Sequence, residues 1–241
     1  MTAPKEPAAA ALDAVRHAPG DWPFVVAQLG QSLDGRIATL SGESRWINGS
    51  SALDHVHRLR AAVDAVVVGV GTAVADDPML NVRRVPGRHP ARVVIDPNGR
   101  LPAGMRCLDG ADGVRRIVIR AADSESAPGS GASSGTEFVS LPRIDGQLCP
   151  RAIVDALYAR GLRKLLIEGG ASTVSTFIDA GAVDRLHVLV APMILGSGKT
   201  GLSLKPIEKL SSAIRPSATV HVLDDGDVLF DCDLRCDKSG D

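Results

Sequence analysis

The sequence predicts an α/β fold on a mostly parallel central sheet with a C-terminal antiparallel hairpin, and three observations carry that prediction. Residues 24–29, 65–68, 92–95, 117–119, 164–167 and 186–190 are short apolar runs without polar alternation, the pattern of strands covered on both faces. Between several of them apolar residues recur at three- and four-residue steps, as on helices that pack along one side. The last segment changes period: Val220 and Val222, then Val228 and Phe230, alternate across the turn Asp224-Asp225-Gly226, as in a hairpin.

A chain of 241 residues with 44% hydrophobic content can bury a sizeable core. The alternation of strands and helices runs through almost all of it, so one domain over residues 23–235 is expected, between a loose tail at 1–22 and a short tail at 236–241. The alanines of residues 8–11 are flanked by Glu6, Pro7 and Asp13, which interrupt any signal-peptide core. No window reaches the roughly 18 apolar residues of a membrane span, so a cytoplasmic protein is expected. The formal net charge of −1 gives no global attraction to nucleic acid or an anionic membrane, and neither is expected as a partner. Cys107, Cys149, Cys232 and Cys236 form no C-x-x-C unit, which favours reduced thiols over a metal site or disulfide frame.

The first strand, residues 24–29, ends at Gly30 and leads to Ser32-Leu33-Asp34-Gly35-Arg36 and then to Ser41-Gly42-Glu43-Ser44-Arg45-Trp46-Ile47. These small and hydrogen-bonding groups suit either a ligand-facing edge, because ligands collect at the carboxyl ends of sheet strands, or an ordinary turn with Asp34-Gly35 at its tip. Ser50 or Ser51 can cap a helix reaching about Val63, with Leu53, Val56, Leu59 and Val63 on one face and Arg60 near its edge. His55 and His57, two positions apart, fall on different faces of that helix and cannot form a metal clamp.

Val68-Gly69-Val70-Gly71-Thr72 has two glycines but lacks the third of the dinucleotide fingerprint, although Thr72 can still donate to a ligand. Asp76-Asp77 reads as a turn cap or as part of a metal site; with no histidine or third acid nearby, no metal is expected. Residues 121–136, rich in Ser, Gly, Ala and Pro, read as a surface loop. Cys149-Pro150 opens a helix through Ile153, Leu157 and Tyr158 that ends near Gly161.

The strand at residues 164–167 then delivers Glu168-Gly169-Gly170-Ala171-Ser172-Thr173, which opens another helix. Two glycines allow close approach of a ligand to the backbone, and the unpaired N–H groups of a helix start attract phosphate or pyrophosphate. Gly181 terminates that helix. Ser172 and Ser175 lack a nucleophile-elbow sequence, which argues against acyl transfer.

Seven motifs follow one another in the chain: S-L-D-G-R, S-G-E-S-R-W-I, D-A-V-V-V-G-V-G-T, D-D-P-x-L-x-V-R, R-V-V-I-D, E-G-G and V-A-P-x-x-L-G-S-G. In this order, across residues 24–234, they resemble the reductase half of the bifunctional riboflavin-biosynthesis deaminase–reductase family. The resemblance implies a dihydrofolate-reductase-like three-layer fold, NADPH as hydride donor and a homodimer. The deaminase half would need H-x-E and P-C-x-x-C for its zinc, and neither occurs here, so a stand-alone reductase-like domain, or one that works beside a separate deaminase, is expected.

By the same resemblance, cofactor contacts fall on Gly30, Trp46, Thr72, Asp76, Gly170, Ala171, Ser172, Thr173, Val174, Ser175 and Thr176. Substrate contacts fall on Ser44, Arg60, Leu80, Arg83 and Glu168. Arginine forks suit the phosphate of a phosphoribosyl pyrimidine. Glu168 is the catalytic candidate, stabilising a developing iminium or relaying a proton; its alternative role is that of a carboxylate facing a helix dipole. The implied reaction is reduction of 5-amino-6-(5-phosphoribosylamino)uracil to the 5-phosphoribitylamino product, with hydride going to C1′ of the ring-opened ribose imine. Alternatives are a pterin or folate-type reductase on the same fold and a non-catalytic nucleotide-binding partner subunit. Two positions depart from the pattern: Gln28 stands where many fused bacterial enzymes have lysine, and Pro97 where a serine contacts the cofactor.

Overall fold

The computed structural model describes residues 9–124 and 135–235. Most of the loop expected at 121–136, the outer part of the expected N-terminal tail and the whole of the expected C-terminal tail at 236–241 lie outside the described residues. In the first half, α1 (Ala9–Arg16) precedes β1 (Phe24–Ser32), the short β2 (Arg36–Ala38), α2 (Ser50–Ala62), β3 (Ala65–Gly69), α3 (Val70–Asp76) and β4 (Ala91–Ile95). Next come β5 (Arg116–Ala121), β6 (Glu137–Leu141), β7 (Arg143–Ile144), β8 (Gln147–Leu148), α4 (Pro150–Tyr158), β9 (Lys164–Ile167) and α5 (Ala171–Asp179). The chain closes with β10 (Arg185–Ala191), β11 (Lys199–Thr200), β12 (Ser217–Val222) and β13 (Val228–Asp233).

The apolar runs assemble into one nine-stranded sheet in the order β12-β13-β10-β1-β9-β3-β4-β5-β6. Every pairing from β10 to β6 is parallel, and β13 and β12 extend the β10 edge antiparallel, as the change of sequence period predicts. Along β1, Val25 and Ala27 join a core with Leu157 of α4 and Phe177 of α5, while Phe24 and Val26 join a second core with Leu59 of α2 and Ala73 of α3. Both faces are therefore covered, which gives three layers. Each fully buried strand side chain such as Leu165, Leu166 or Ile117 contributes on the order of 1.5–3 kcal/mol of burial.

The N-terminal stretch differs from the expected loose tail. Ala9–Arg16 is helical, and its Leu12 and Val15 are buried against Leu59 and Val63. Alanines favour the helix, and Ala11, Leu12 and Val15 fall on one face, so docking supplies what the isolated segment lacks.

The start of α2 also differs. Gly49, rather than either serine, is the N-cap residue, and it offers no side chain. Two aspartates from the turn before β13 fill the role: Asp227 accepts the Gly49 N–H at 2.9 Å and Asp225 the Ser51 N–H at 2.7 Å. The positive end of α2 is thus neutralised by the chain itself. No side chain caps α5 at Gly170.

Candidate active site

A cleft of about 1090 Å³ crosses the carboxyl ends of β1, β9, β3 and β4. This is where an open α/β sheet reverses its strand order and leaves a crevice. Gln28 and Gly30 stand at its β1 end, Gly169 and Gly170 follow β9, Ile95 ends β4, and Pro97 and Arg100 follow it. A second cavity of about 310 Å³ lies against α2 and includes Arg60, Leu80 and Glu168 in its wall. Gln28, Gly30, Ser44, Asn48, Thr72, Asp76 and Gly169 line both, so the cavities adjoin along a common wall.

The glycines of the central cradle are required by close approach. Gly169 has φ +83°, and a Cβ there would lie 2.6 Å from Thr72 Cγ2. A Cβ on Gly69 would lie 2.5 Å from Thr173 Oγ1. Thr72 Oγ1 accepts the Gly170 N–H at 2.8 Å, which fixes the turn from the opposite side of the cleft. Ala171, Ser172, Thr173 and Thr176 line the cleft at the start of α5, whose first N–H groups have no helical partner. This uncapped cradle fits the pyrophosphate of a dinucleotide.

Three of the expected cofactor contacts are placed elsewhere. Val174 is fully buried in the core, and Ser175 is buried with its Oγ accepting the Ser203 N–H at 2.9 Å. The helical rotation that brings Thr173 and Thr176 to the cleft turns these two toward the protein. Trp46 is 78% exposed at φ +71° and lines neither cavity. Gly30 and Asp76 do reach the shared wall, and a Cβ on Gly30 would overlap Asn48 Oδ1. Asn48 is itself anchored to Leu189 O and Asp227.

On the substrate side, Arg60 and Glu168 form a buried two-bond fork, with Nε to Oε1 at 2.7 Å and Nη2 to Oε2 at 2.6 Å. Arg60 Nη1 donates to Asn81 O at 3.1 Å. Burial by itself would lower the Arg60 pKa, but the charge and hydrogen bonds of Glu168 outweigh it and raise the value. Arg60 lines the smaller cavity, as expected of a substrate-side residue, and its fork is paired with Glu168, because a desolvated guanidinium needs its counter-charge. Arg83 is the exposed cation of the pair, with Nη1 to Asn81 Oδ1 at 3.0 Å; it lies outside the walls of both cavities. Leu80 is buried at φ +52° in the smaller cavity, and Ser44 lies on the common wall.

Two histidines hold this segment in place. His57 Nδ1 accepts the Arg83 N–H and His89 Nδ1 the Val82 N–H, each at 3.2 Å. Burial, then the charges of Arg60, Arg83 and Arg84, pushes His57 down to about 4, which keeps it neutral with a lone pair to offer. Nothing in the sequence spacing marks this role; the only signal is that His57 shares a helix with Arg60.

The loop motifs prove to be mutual braces. Asp34 accepts Ser32 Oγ–H at 2.6 Å and the N–H groups of Leu195 and Gly196 at 3.1 and 2.8 Å. These bonds, Ser32 first, hold its carboxyl at about 2. S-L-D-G and L-G-S-G are thus bolted together, in keeping with the turn reading. Asp77 ends α3 at φ +39° and accepts the Arg106 N–H at 2.7 Å, the role of a turn cap.

The three-layer fold with a glycine cradle at its strand ends is of the kind that binds nucleotides at the carboxyl edge of a sheet. Residues 23–224 match the RibD C-terminal domain, and the chain belongs to that family. The 2,5-diamino-6-ribosylamino-4(3H)-pyrimidinone 5′-phosphate reductase of Methanothermobacter thermautotrophicus is 34% identical over 198 residues, which cover 80% of this chain and 89% of that protein. The riboflavin biosynthesis protein RibD of Actinobacillus pleuropneumoniae is 29% identical over 211 residues, 87% of this chain but 56% of its own length. The structure of Acinetobacter baumannii RibD superposes with a TM-score of 0.75 at 29% identity, covering 88% of this chain and 58% of that one. The chain thus spans a little over half of these bacterial RibD proteins. It is an oxidoreductase of the pyrimidine reductase type, with the expected three-layer arrangement of helices on both faces of a mostly parallel sheet. Among the described residues no helix is long and apolar enough to cross a membrane.

Proposed function

We propose that this chain is the NADPH-dependent reductase that converts 5-amino-6-(5-phosphoribosylamino)uracil to its 5-phosphoribitylamino product in riboflavin biosynthesis. The observation that carries the reading is the meeting of the uncapped glycine cradle with the buried Arg60–Glu168 pair along one wall shared by two cavities. Bound NADPH supplies the hydride, which goes to C1′ of the ring-opened imine. The α5 start holds the pyrophosphate, and Ser44, Arg60 and Leu80, on the walls of the smaller cavity, hold the substrate. Glu168, fixed by Arg60, sets a negative charge beside the carbon–nitrogen centre where positive charge develops. Asp227, through Asn48, keeps the β1 end of the cleft in shape. Homodimer formation and a cytoplasmic setting complete the reading; Val220 and Val222, exposed on the outermost strand, support the dimer.

Gln28 favours a second substrate reading. Lysine can only donate to a pyrimidine oxygen, whereas an amide offers an oxygen that accepts from an exocyclic amino group. Gln28 is nearly buried on the common wall of both cavities. The archaeal relative is named for a diamino-pyrimidinone phosphate. On this reading the chain reduces the pyrimidine before its deamination. Loss of reduced-nicotinamide absorbance, followed with each of the two phosphoribosyl pyrimidines, tests both. A larger kcat/KM on the uracil supports the first substrate, a larger value on the diamino compound supports the second, and no turnover on either contradicts the proposed function.

A further inference from the structure

We propose that His57 is a positioning residue for the reduction: as the middle of three hooks on α2, it fixes the segment that carries Leu80 into the wall of the substrate cavity. The inference rests on the substrate reading of the smaller cavity given above.

Residues 80–84 belong to no helix or strand, and among the described residues their backbone makes no hydrogen bond to other backbone. Side chains place the segment instead. On α2, Asp54, His57 and Arg60 recur every three residues and so stand in one row along the helix. Asp54 accepts the Arg84 Nε–H at 2.5 Å, His57 Nδ1 accepts the Arg83 N–H at 3.2 Å, and Arg60 Nη1 donates to Asn81 O at 3.1 Å. The row therefore engages positions 84, 83 and 81 in turn, with the segment running back along the helix. From another side, His89 Nδ1 accepts the Val82 N–H at 3.2 Å.

Leu80 is what the row positions. It is buried on the wall of the smaller cavity at φ +52°. A leucine keeps such a backbone only where its surroundings over-determine it. The bonds to positions 81, 82 and 83, directly after it, supply that constraint.

Among the three hooks, His57 has the decisive grip. The Asp54–Arg84 pair is about one-third exposed on each side, and ion pairs open to water hold weakly. Arg60 meets the segment with one nitrogen and spends the other two on Glu168. His57 is buried, and because a backbone N–H can only donate, its Nδ1 must keep a lone pair. Burial first, then the charges of Arg60, Arg83 and Arg84, holds the imidazole neutral against the opposing pull of Asp54. A neutral acceptor at this point is the one group that can take the Arg83 N–H without adding a further cation beside three arginines.

Steady-state kinetics of the full chain, with NADPH saturating and the phosphoribosyl pyrimidine varied, separate positioning from a merely structural part. His57→Phe removes the acceptor and keeps a ring; it is expected to raise the pyrimidine KM about tenfold while kcat changes little, with NADPH affinity by calorimetry unchanged. His57→Gln, whose Oε1 can accept the same N–H, is expected to bring KM back to within about threefold of the wild type. A His57→Phe variant with the wild-type KM, or a loss that His57→Gln fails to reverse, would overturn the inference and leave the substrate reading standing. Turnover of neither pyrimidine by the wild type would overturn that reading, and the inference with it. Should His57→Phe fail to fold, hydrogen exchange in the wild type gives the same test. Bound pyrimidine should slow exchange of the Val82 and Arg83 amides and NADPH alone should not, whereas exchange indifferent to the pyrimidine would contradict the positioning role.

Discussion

Arg60 on α2 and Glu168 at the end of β9, far apart in the chain, meet in a buried fork with bonds of 2.7 and 2.6 Å, and this single contact ties the helix over the substrate cavity to the strand that opens the cofactor cradle. Neither group is replaceable alone. Removing one partner of a buried ion pair leaves the other charge desolvated and costs roughly 3–5 kcal/mol. Arg60→Met is expected to lower stability by about that amount, read as a fall in the midpoint of denaturant unfolding. An unchanged midpoint would show that the pair adds nothing to the fold.

Glu168→Gln removes the charge beside C1′ while keeping the shape. The expected result is a fall in kcat on the order of a hundredfold, with NADPH affinity measured by fluorescence titration unchanged. Parallel losses of binding and turnover would place Glu168 in the scaffold alone.

Gly169→Ala tests the cradle. The new Cβ meets Thr72 and sits on a residue at φ +83°, a conformation that costs a side chain about 1–2 kcal/mol. NADPH binding should weaken about tenfold or more, while any remaining turnover at saturating NADPH stays closer to that of the wild type. Unchanged NADPH affinity would remove the pyrophosphate from this turn.

Acid should destabilise the fold through His55. Its Nε2 lies 2.9 Å from His187 Nδ1, and His187 Nε2 lies 3.1 Å from Asp231 Oδ1. Burial first, then the charges of the neighbouring His187 and Arg58, holds His55 at about 3, with Asp231 opposing. The folded value is below the unfolded value, so the unfolded chain takes up the proton first as pH falls. The stability contributed by neutral His55 is complete above about 6.5 and is lost progressively from there toward about 3, by up to ~1.4 kcal/mol per pH unit. Melting temperatures across that range should fall with acid, and His55→Leu should flatten the slope. Equal slopes in the two proteins would show that other groups set the acid limit.

Gln28 governs the pyrimidine in this account. Gln28→Lys should shift kcat/KM toward the uracil and away from the diamino compound, measured as a ratio in one competition assay. An unchanged ratio would move substrate choice to another wall of the cavity.

Much of the fold is legible in the chain because unbroken apolar runs such as residues 65–68 can be satisfied only inside a covered sheet. Glu137–Leu141 escapes that reading: it is an edge strand buried mainly at Val139, too short and mixed to stand out. The cradle is legible because glycines at 169 and 170 answer a local steric demand. The commitments of Arg60, His57 and Asp34 are not, since each is decided by a partner brought near only by tertiary folding. A motif can place Arg60 at the site, but whether it holds phosphate or Glu168 depends on how deeply α2 buries it. Val174 and Ser175 show the same limit on a smaller scale, where the rotation of one helix separates residues that face the cleft from those that face the core.

The most direct test of the central claim is a reaction with NADPH deuterated on the transferring face of the nicotinamide and the phosphoribosylaminopyrimidine, with the product examined by mass spectrometry and NMR. Hydride transfer across this cleft predicts a ribityl product with one deuterium, located at C1′. A ribityl product without the label, or NADPH left unoxidised by protein that binds it, would contradict the account.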